Sequence, residues 1–307
     1  MRKILVISFL AGSMCAYGNI FTTVSVEKLP MEQEEGVRMA GISPQGDYIL
    51  TTTDNNKGLS KVSLATGQSQ FLTDAVGAGI GPVVSADGKQ VLYRDVRYTE
   101  DHLRKTSLRL ISVENLSEKL MQEPTRCVKP YGFRQNTAFV IKEDSEEKPV
   151  QRKIENVAEK ETKSVVVYLE DLQLRLNIDG KVIPLTPNGT DVNYIWPSVS
   201  PDGTKILYYV SGQGAYVCDL DGSNVHFISH DCRAPQWYDN QIVVGMDDAD
   251  NGETVISSRI VAYTLEGDSQ ALTDGSSMTM YPFCSSKAGL VACSTNDGEV
   301  CLIRLTR

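Results

Sequence analysis

Histidine is scarce in this chain, and so are the motifs of a catalytic site. Only three of the 307 residues are histidine, at positions 102, 226 and 230, and the G-x-S-x-G motif of serine hydrolases does not occur. His226 and His230 lie in a stretch that reads as a strand, where residues four apart are about 13 Å apart, too far to share a metal ion. We therefore expect His102, His226 and His230 to be structural or surface residues, and we expect no cofactor.

Long hydrophobic runs are also missing, except at the N-terminus. Arg2 and Lys3 precede an apolar run, residues 4–10, and a small-residue pattern ends at Gly18. This is the layout of a secretory signal peptide, and it is too short for a membrane span. The sequence predicts an exported or periplasmic protein that is cleaved near Gly18, with a lipid anchor at Cys15 as the alternative. No transmembrane segment is expected.

Basic runs are absent, and the chain is acidic. It has 30 lysines and arginines against 39 aspartates and glutamates, a formal net charge of −9. Removal of residues 1–18 leaves 28 basic residues against the same 39 acidic ones, which gives −11. Because the neutralisation of phosphates supplies most of the affinity for nucleic acid, DNA or RNA is not an expected partner.

Six cysteines follow residue 18, and they show neither a CxxC motif nor a zinc-ligand spacing. Cys293 and Cys301 flank a predicted turn at Asn296-Asp297-Gly298, which would place them opposite each other. An exported protein permits disulfides. The favoured interpretation is that the cysteines are buried thiols in a β core.

What the sequence does contain is a repeat. The stretches "ISPQGDYILTTT" (42–53), "VSADGKQVLYRDV" (84–96) and "VSPDGTKILYYV" (199–210) each place a glycine-ended turn between two β-rich runs. Glycine suits the last turn position because it accepts a positive φ without steric cost. A third run, a second turn and a fourth short run follow each copy. Four strands in meander order predict the blade of a β-propeller.

A proline recurs near the start of the first strand of the repeat, and its occurrences predict the number of blades. Such prolines occur at Pro82, Pro130, Pro197, Pro235 and Pro282, and Ala40 holds the matching place in the first copy. Proline at a strand's first residue loses no ladder hydrogen bond. Six starts predict an all-β, six-bladed propeller with four-stranded antiparallel blades, in a single domain over residues 19–307.

The last copy of the repeat stops after three strands. We expect residues 21–29 to supply its fourth strand, which would hide an open sheet edge. Within the third blade, residues 143–163 form a charged insertion of nearly balanced sign. It reads as a surface helix or loop, with a partner-docking arm as the alternative.

The stretch "WPSVSPDGTKILYYV", followed by "YVCDLDG" and a strand with an "LT"-type ending, resembles the PD40 (WD40-like) repeat of TolB-like propellers. The resemblance covers nearly all of the chain after residue 18. It implies a six-bladed propeller of the bacterial cell envelope. The α/β domain that precedes the propeller in TolB has no counterpart here, which puts a Tol-specific role in doubt.

The stretch "GMDDADNGET" (245–254) is a weak calcium candidate. Asp247, Asp248 and Asp250 supply the hard oxygen donors that calcium prefers. Neither register places these donors at the EF-hand positions, because Ala249 or Gly252 falls where a ligand is needed. We therefore expect an acidic hairpin loop and no metal.

The residues just before the register prolines should ring one mouth of a propeller's channel. They are Met39, Gly81, Lys129, Trp196, Ala234 and Tyr281, with Arg38 and Arg233 one residue earlier. We expect the ligand contacts at this top mouth to be Arg38, Lys129, Trp196, Arg233 and Tyr281. Three cations and two aromatic rings suit an anionic or carbohydrate-like ligand, or an acidic peptide. The alternative is that the aromatic residues only pack between blades.

These features favour a non-catalytic binding or scaffold protein of the cell envelope, a monomer that recognises a protein or a cell-wall glycan through its top face. The alternative is a propeller-fold enzyme that acts on a glycan or peptide, with Asp247, Asp248 or another channel acid as its working group. An enzyme should show a carboxylate or histidine cluster with perturbed pKa values. A binding protein should show an aromatic and polar rim.

Overall fold

The computed structural model describes residues 19–29, 36–141 and 164–307. The predicted signal peptide with Cys15, and the charged insertion, lie outside these residues. The described part consists of 25 strands and one 3-10 turn at Ser286–Ala288. It contains no helix that is long and apolar enough to cross a membrane. The all-β class is therefore confirmed.

The chain divides into two compact units. Of the described residues, unit 1 comprises 19–29, 169–174 and 185–307, and unit 2 comprises 36–141, 164–168 and 175–184. Both units consist of consecutive antiparallel sheets in meander order, and the six successive repeats are those of a six-bladed β-propeller, as predicted. That residues 19–307 act as a single domain stays a prediction.

Unit 2 begins with two four-stranded sheets. The first is formed by β2 (Val37–Ile42), β3 (Tyr48–Thr53), β4 (Lys57–Ser63) and β5 (Ser69–Val76). The second is formed by β6 (Val83–Val84), β7 (Gln90–Tyr98), β8 (Arg104–Ser112) and β9 (Glu118–Thr125). An apolar core that includes Tyr48, Leu50, Leu72, Val91 and Tyr93 lies between these two sheets.

The third repeat departs from the four-stranded pattern within the described residues. It has a two-stranded sheet, β10 (Tyr131–Arg134) with β11 (Thr137–Val140), and a three-stranded sheet formed in order by β12 (Val165–Glu170), β13 (Gln173–Ile178) and β14 (Lys181–Leu185). The insertion separates β11 from β12. The insertion therefore lies between the two sheets of this repeat.

Unit 1 contains the last three sheets, each four-stranded. The fourth is formed by β15 (Tyr194–Val199), β16 (Lys205–Val210), β17 (Gly214–Asp219) and β18 (His226–Ser229). The fifth is formed by β19 (Arg233–Trp237), β20 (Ile242–Asp250), β21 (Val255–Thr264) and β22 (Ser269–Ala271). The sixth is formed by β23 (Thr279–Ser285), β24 (Leu290–Thr295), β25 (Val300–Thr306) and β1 (Thr23–Lys28).

The repeated Ser-x-x-Gly turn follows from its side-chain chemistry. In the fourth sheet the N–H of Gly203 donates to the carbonyl of Ser200 (2.8 Å), and Gly203 has a φ of 74°. The Ser200 hydroxyl oxygen accepts from the N–H of Lys205 (2.9 Å), the first residue of β16. Ser43 and Ser85 make the equivalent contacts in the first two sheets. Each buried serine thus ties the turn to the strand that follows it.

The sixth sheet is completed by the N-terminal strand, as predicted. β1 pairs with β25 along its whole length, from Thr23 opposite Thr306 to Lys28 opposite Cys301. Phe21, just before β1, is buried and packs edge-on against Tyr238 with 5.2 Å between ring centroids. Burial of a phenylalanine stabilises the folded state by about 2 kcal/mol, so this segment is anchored by packing as well as by the ladder.

Four of the six described cysteines lie on strands, Cys232 directly precedes β19, and all six are free thiols. Cys293 and Cys301 face each other across β24 and β25, as their spacing predicts. Both belong to the apolar core of unit 1, together with Phe21 and Ile303. Cys127 is the exposed one. The interpretation as core-filling thiols therefore fits the structure.

Candidate functional site

The residue before the register proline has a left-handed backbone in all three complete sheets of unit 1. Trp196, Ala234 and Tyr281 have φ values of 51°, 45° and 53°. Each lies in a β-bulge, where the register between the first and second strand of its sheet shifts. For a residue other than glycine this conformation costs about 1–2 kcal/mol. The same strain therefore recurs at one position in three consecutive sheets.

Two of these strained positions carry large aromatic side chains, and both are exposed. Trp196 is 37% exposed and Tyr281 is 53% exposed. The Trp196 ring packs edge-on against Tyr209 at 5.5 Å. The three bulges lie on neighbouring strands, because β19 contacts both β15 and β23. We call Trp196, Arg233 and Tyr281 the bulge surface; Ala234, at the third bulge, is buried.

Arg233 forms an ion pair with the buried carboxylate of Asp248. Its Nη1 donates to Oδ2 of Asp248 at 2.9 Å and lies 3.8 Å from Oδ2 of Asp250. The Asp248 side chain has no exposed surface, and its Oδ1 has no hydrogen-bond partner in the described part of the chain. Burial raises the pKa of Asp248, although Arg233 acts in the opposite direction. The cation of the bulge surface is therefore already balanced by carboxylates.

Tyr209 lies beside this pair, and sequence reasoning did not find it. The side chain is buried, and burial raises the pKa of its phenol, an effect that Arg233 opposes and Asp248 reinforces. The signal in the sequence was the double tyrosine of "ILYYV". Because side chains alternate along a strand, two adjacent tyrosines place one ring on each face of the sheet.

The three aspartates of the calcium candidate, Asp247, Asp248 and Asp250, all lie on β20. The turn spans residues 251–254, so the expectation of an acidic hairpin loop is wrong for these three residues. Asp247 accepts from Nε of Arg259 at 2.8 Å, and Asp250 accepts from the N–H of Gly252. No group of three potential metal ligands occurs among the residues the structure describes. The aspartates serve in ion pairs and turn contacts.

The other two predicted contact residues belong to unit 2. Arg38, on β2, is exposed and donates to the side-chain oxygen of Asn56. Lys129 is half-buried, and its N–H donates to Oε1 of Gln122 (3.2 Å). Gly81, before Pro82, repeats the left-handed conformation with a φ of 56°. That Arg38 and Lys129 share one opening with the bulge surface stays a prediction.

None of the histidines forms a catalytic arrangement within the described residues. His102 lies in the turn between β7 and β8 with a φ of 59°. His226 is exposed on β18, and the ring of His230 packs against Phe227 at 4.8 Å. These are surface and packing positions, as expected.

Six successive antiparallel repeats, five of them four-stranded sheets and the third split into two sheets, define a protein of the β-propeller class. No protein-family model and no curated protein sequence matches the chain. The fold is similar to a putative TolB from Agrobacterium tumefaciens, with 18% identity over 94% of this chain and 100% of that one and a TM-score of 0.53.

Two further solved structures share the fold. A catalytically inactive virginiamycin B lyase from Staphylococcus aureus, in complex with quinupristin, has 12% identity over 92% of this chain and 100% of that one, with a TM-score of 0.58. The WD40 repeats of RRP9 have 11% identity over 91% and 97%, with a TM-score of 0.57. The expected TolB-like propeller is thus confirmed at the level of the fold.

Proposed function

We propose that this chain is an exported, non-catalytic binding protein of the cell envelope that recognises a protein or glycan partner through the bulge surface. Export rests on the signal-peptide layout of residues 1–18, and lipidation at Cys15 is the alternative anchor. Mass spectrometry of the N-terminal peptide of the mature protein distinguishes export from lipidation, because cleavage near Gly18 and a diacylated Cys15 give different masses.

The observation that carries the proposal is the repeated strain at Trp196, Ala234 and Tyr281. Backbone strain that is held by the surrounding structure clusters at ligand-binding positions. Here it directs two large aromatic side chains towards solvent on neighbouring strands. Aromatic residues are the side chains most enriched at the centres of binding interfaces.

The ion pairs of Arg233 narrow the chemistry of the ligand. Asp248 and Asp250 together outweigh the single charge of Arg233, so this part of the bulge surface attracts no free anion. A partner that stacks on Trp196 and Tyr281 and offers hydroxyl or amide groups suits the surface better. Both glycans and peptides have these properties.

The test is capture of partners from an envelope extract by the mature protein and its Tyr281→Ala variant. Tyr281 is exposed, so its loss should leave the melting temperature unchanged. Tyr98→Ala is the matched control, since Tyr98 is 66% exposed on β7 in unit 2. We expect Tyr281→Ala to lose the partner that wild type and Tyr98→Ala retain. Equal affinity of all three proteins would contradict the role of the bulge surface.

One observation favours the enzyme alternative. Asp248 is a buried carboxyl with a raised pKa beside Arg233 and Tyr209, the arrangement of a general acid. The virginiamycin B lyase that shares the fold is an enzyme by its name. Activity of the wild type on a captured glycan or peptide, abolished by Asp248→Asn with the fold intact, would favour this alternative.

A further inference from the structure

A cleft of about 300 Å³ opens in unit 2 where the apolar core between the first two sheets ends. One wall is the edge strand β5, with Phe71 and Thr73, and the other is the face of the second sheet. Tyr93 and Asp95 of β7 and Arg109 of β8 line that second wall. The cleft shares no residue with the bulge surface.

Two arginines and two carboxylates form a connected network in the cleft. Nε of Arg109 donates to Oδ2 of Asp95 at 2.9 Å, and its Nη1 lies 3.3 Å from Oε2 of Glu118. Nη2 of Arg97 lies 3.0 Å from the same oxygen of Asp95. The Tyr93 hydroxyl donates to Glu118. These four charges sum to zero, and the exposed carboxylate of Asp74, which also lines the cleft, adds one negative charge.

Phe71 adds an apolar surface beside this network. Its ring is 61% exposed, although it lies on a strand of a folded sheet and lines the cleft. A face of aromatic carbon next to fixed donors and acceptors matches the two sides of a sugar ring. The C–H face of a sugar packs on the aromatic ring, and its hydroxyl groups both donate and accept hydrogen bonds.

We propose that this cleft is a second binding site, which takes a neutral sugar such as the end of a glycan chain. Sugar hydroxyls can donate to the carboxylates of Asp74 and Glu118 and accept from the exposed guanidinium of Arg97 without breaking an ion pair. The volume is at the lower end of the range for small-molecule sites, which suits one or two sugar rings.

A charged ligand fits the cleft less well. An anion would meet Asp95 and Glu118 as well as the arginines, and a zwitterionic amino acid would have to separate pairs that are already made. Separation of a partly buried ion pair leaves one charge without a partner, which is costly. The charged groups of the cleft therefore favour a neutral ligand over an anion or a zwitterion.

The experiment is saturation-transfer NMR of the full-length mature protein with maltose, cellobiose and N,N′-diacetylchitobiose as probes. Glucuronate and glycine serve as the anionic and zwitterionic counterparts. We expect at least one neutral disaccharide to bind, and the Phe71→Ala variant to weaken its binding by at least about tenfold. Phe227→Ala is the matched control, because Phe227 is also an exposed aromatic residue on an edge strand, in unit 1.

A second pair of variants tests the charged network of the cleft independently of the Phe71 ring. Arg97→Gln should weaken binding, whereas Arg104→Gln, at an exposed arginine at the start of β8, should not. Circular dichroism of each variant establishes that it is folded. The proposal is overturned if no neutral disaccharide binds at millimolar concentration, if Phe71→Ala binds as wild type does, or if glucuronate or glycine binds in their place. None of these results bears on the bulge surface.

Discussion

Arg233 and Asp248 form an ion pair in which the acid is buried and the base reaches solvent. Nη1 and Oδ2 are 2.9 Å apart, and Oδ1 of Asp248 is left without a hydrogen-bond partner among the described residues. A buried carboxylate that keeps only one partner depends on that partner. The pair therefore links the stability of the fifth sheet to the residue that was predicted to contact a ligand.

The Arg233→Ala variant should be destabilised at neutral pH by about 2 kcal/mol, because it leaves the Asp248 carboxylate buried and unpaired. This is less than the 3–5 kcal/mol of a fully buried pair, since Arg233 is partly exposed and solvent screens it. The loss should shrink as the pH is lowered through the raised pKa of Asp248, because the carboxyl then takes up a proton and no longer needs the cation. Urea denaturation at several pH values measures this trend.

The sign of the pH effect follows from the raised pKa of Asp248. The folded state keeps a proton that the unfolded chain releases, so the free energy of unfolding falls as pH rises from the ordinary aspartate value through the raised one. In the Arg233→Ala variant the pKa of Asp248 rises further, so the pH range over which stability is lost extends to higher pH. Adding Asp248→Asn should restore most of the neutral-pH stability. A deficit that is constant from acid to neutral pH would show that packing, and not charge, is what Arg233 supplies.

Phe21→Ala should cost about 3 kcal/mol of stability, because it removes a buried ring from the core of unit 1. Val26→Ala, at an exposed position of β1, is the control and should change stability by less than about 0.5 kcal/mol. Deletion of residues 19–29 should lower the melting temperature and cause aggregation, because it bares the edge of β25. An unchanged melt after the deletion would defeat the closure by β1.

Residues 143–163 should be replaceable by a Gly-Ser bridge at small cost, about 0.6 kcal/mol per doubling of loop length. The structure sets the minimum length of the bridge. Ile141 bonds to Pro130 at the start of β10, whereas Ser164 bonds to Asp179, which pairs with Arg134 at the end of β10. The bridge must therefore span about 13 Å, the length of four strand residues.

At a reach of about 3.3 Å per residue, a bridge of roughly six to eight residues spans this distance with slack. Such a bridge should keep the denaturant midpoint near that of wild type. A two-residue bridge is the control and should destabilise unit 2. If the longer bridge also lost several kcal/mol, the insertion would be part of the packing of the third repeat.

Cys127 should be the one cysteine of the mature native protein that reacts quickly with a thiol reagent. It is exposed, whereas burial raises the pKa of Cys218, Cys232 and Cys284 and suppresses their thiolates. Absorbance with Ellman's reagent should show one fast equivalent, which Cys127→Ser removes. Recovery of a disulfide-linked peptide that contains Cys293 and Cys301 would instead show that the opposed pair oxidises in the native protein.

The sequence predicted the fold because its signals are local and repeated. The buried serine at 43, 85 and 200, and the glycine that ends each turn, fix a hairpin whatever surrounds it. The three-stranded last copy likewise implied its partner strand. The third repeat was not predictable in detail, since its turns are irregular and a long insertion interrupts it.

The sequence predicted two exposed aromatic residues of the candidate site, but not the ion pairs of its arginine. The register prolines located Trp196 and Tyr281, whose exposure the structure bears out. They could not show that Arg233 is held by Asp248, because that contact joins two strands through their pairing register and not through a motif. For the same reason Arg233→Glu is a poor probe of binding, since it would set a carboxylate against a buried one. The cleft beside Phe71 had no signal in the sequence at all.

The pairing of β1 with β25 has a consequence for the order in which the protein is made. Arg304 of β25 donates to Glu27 of β1, residues that are 277 positions apart. β1 has to wait for β25, which lies far later in the chain, so the sixth sheet is completed only after the strands between them have been made. The same pairing suits the chain to circular permutation: new ends in the loop between β14 and β15, with β25 and β1 joined by a short linker, would let this sheet form early.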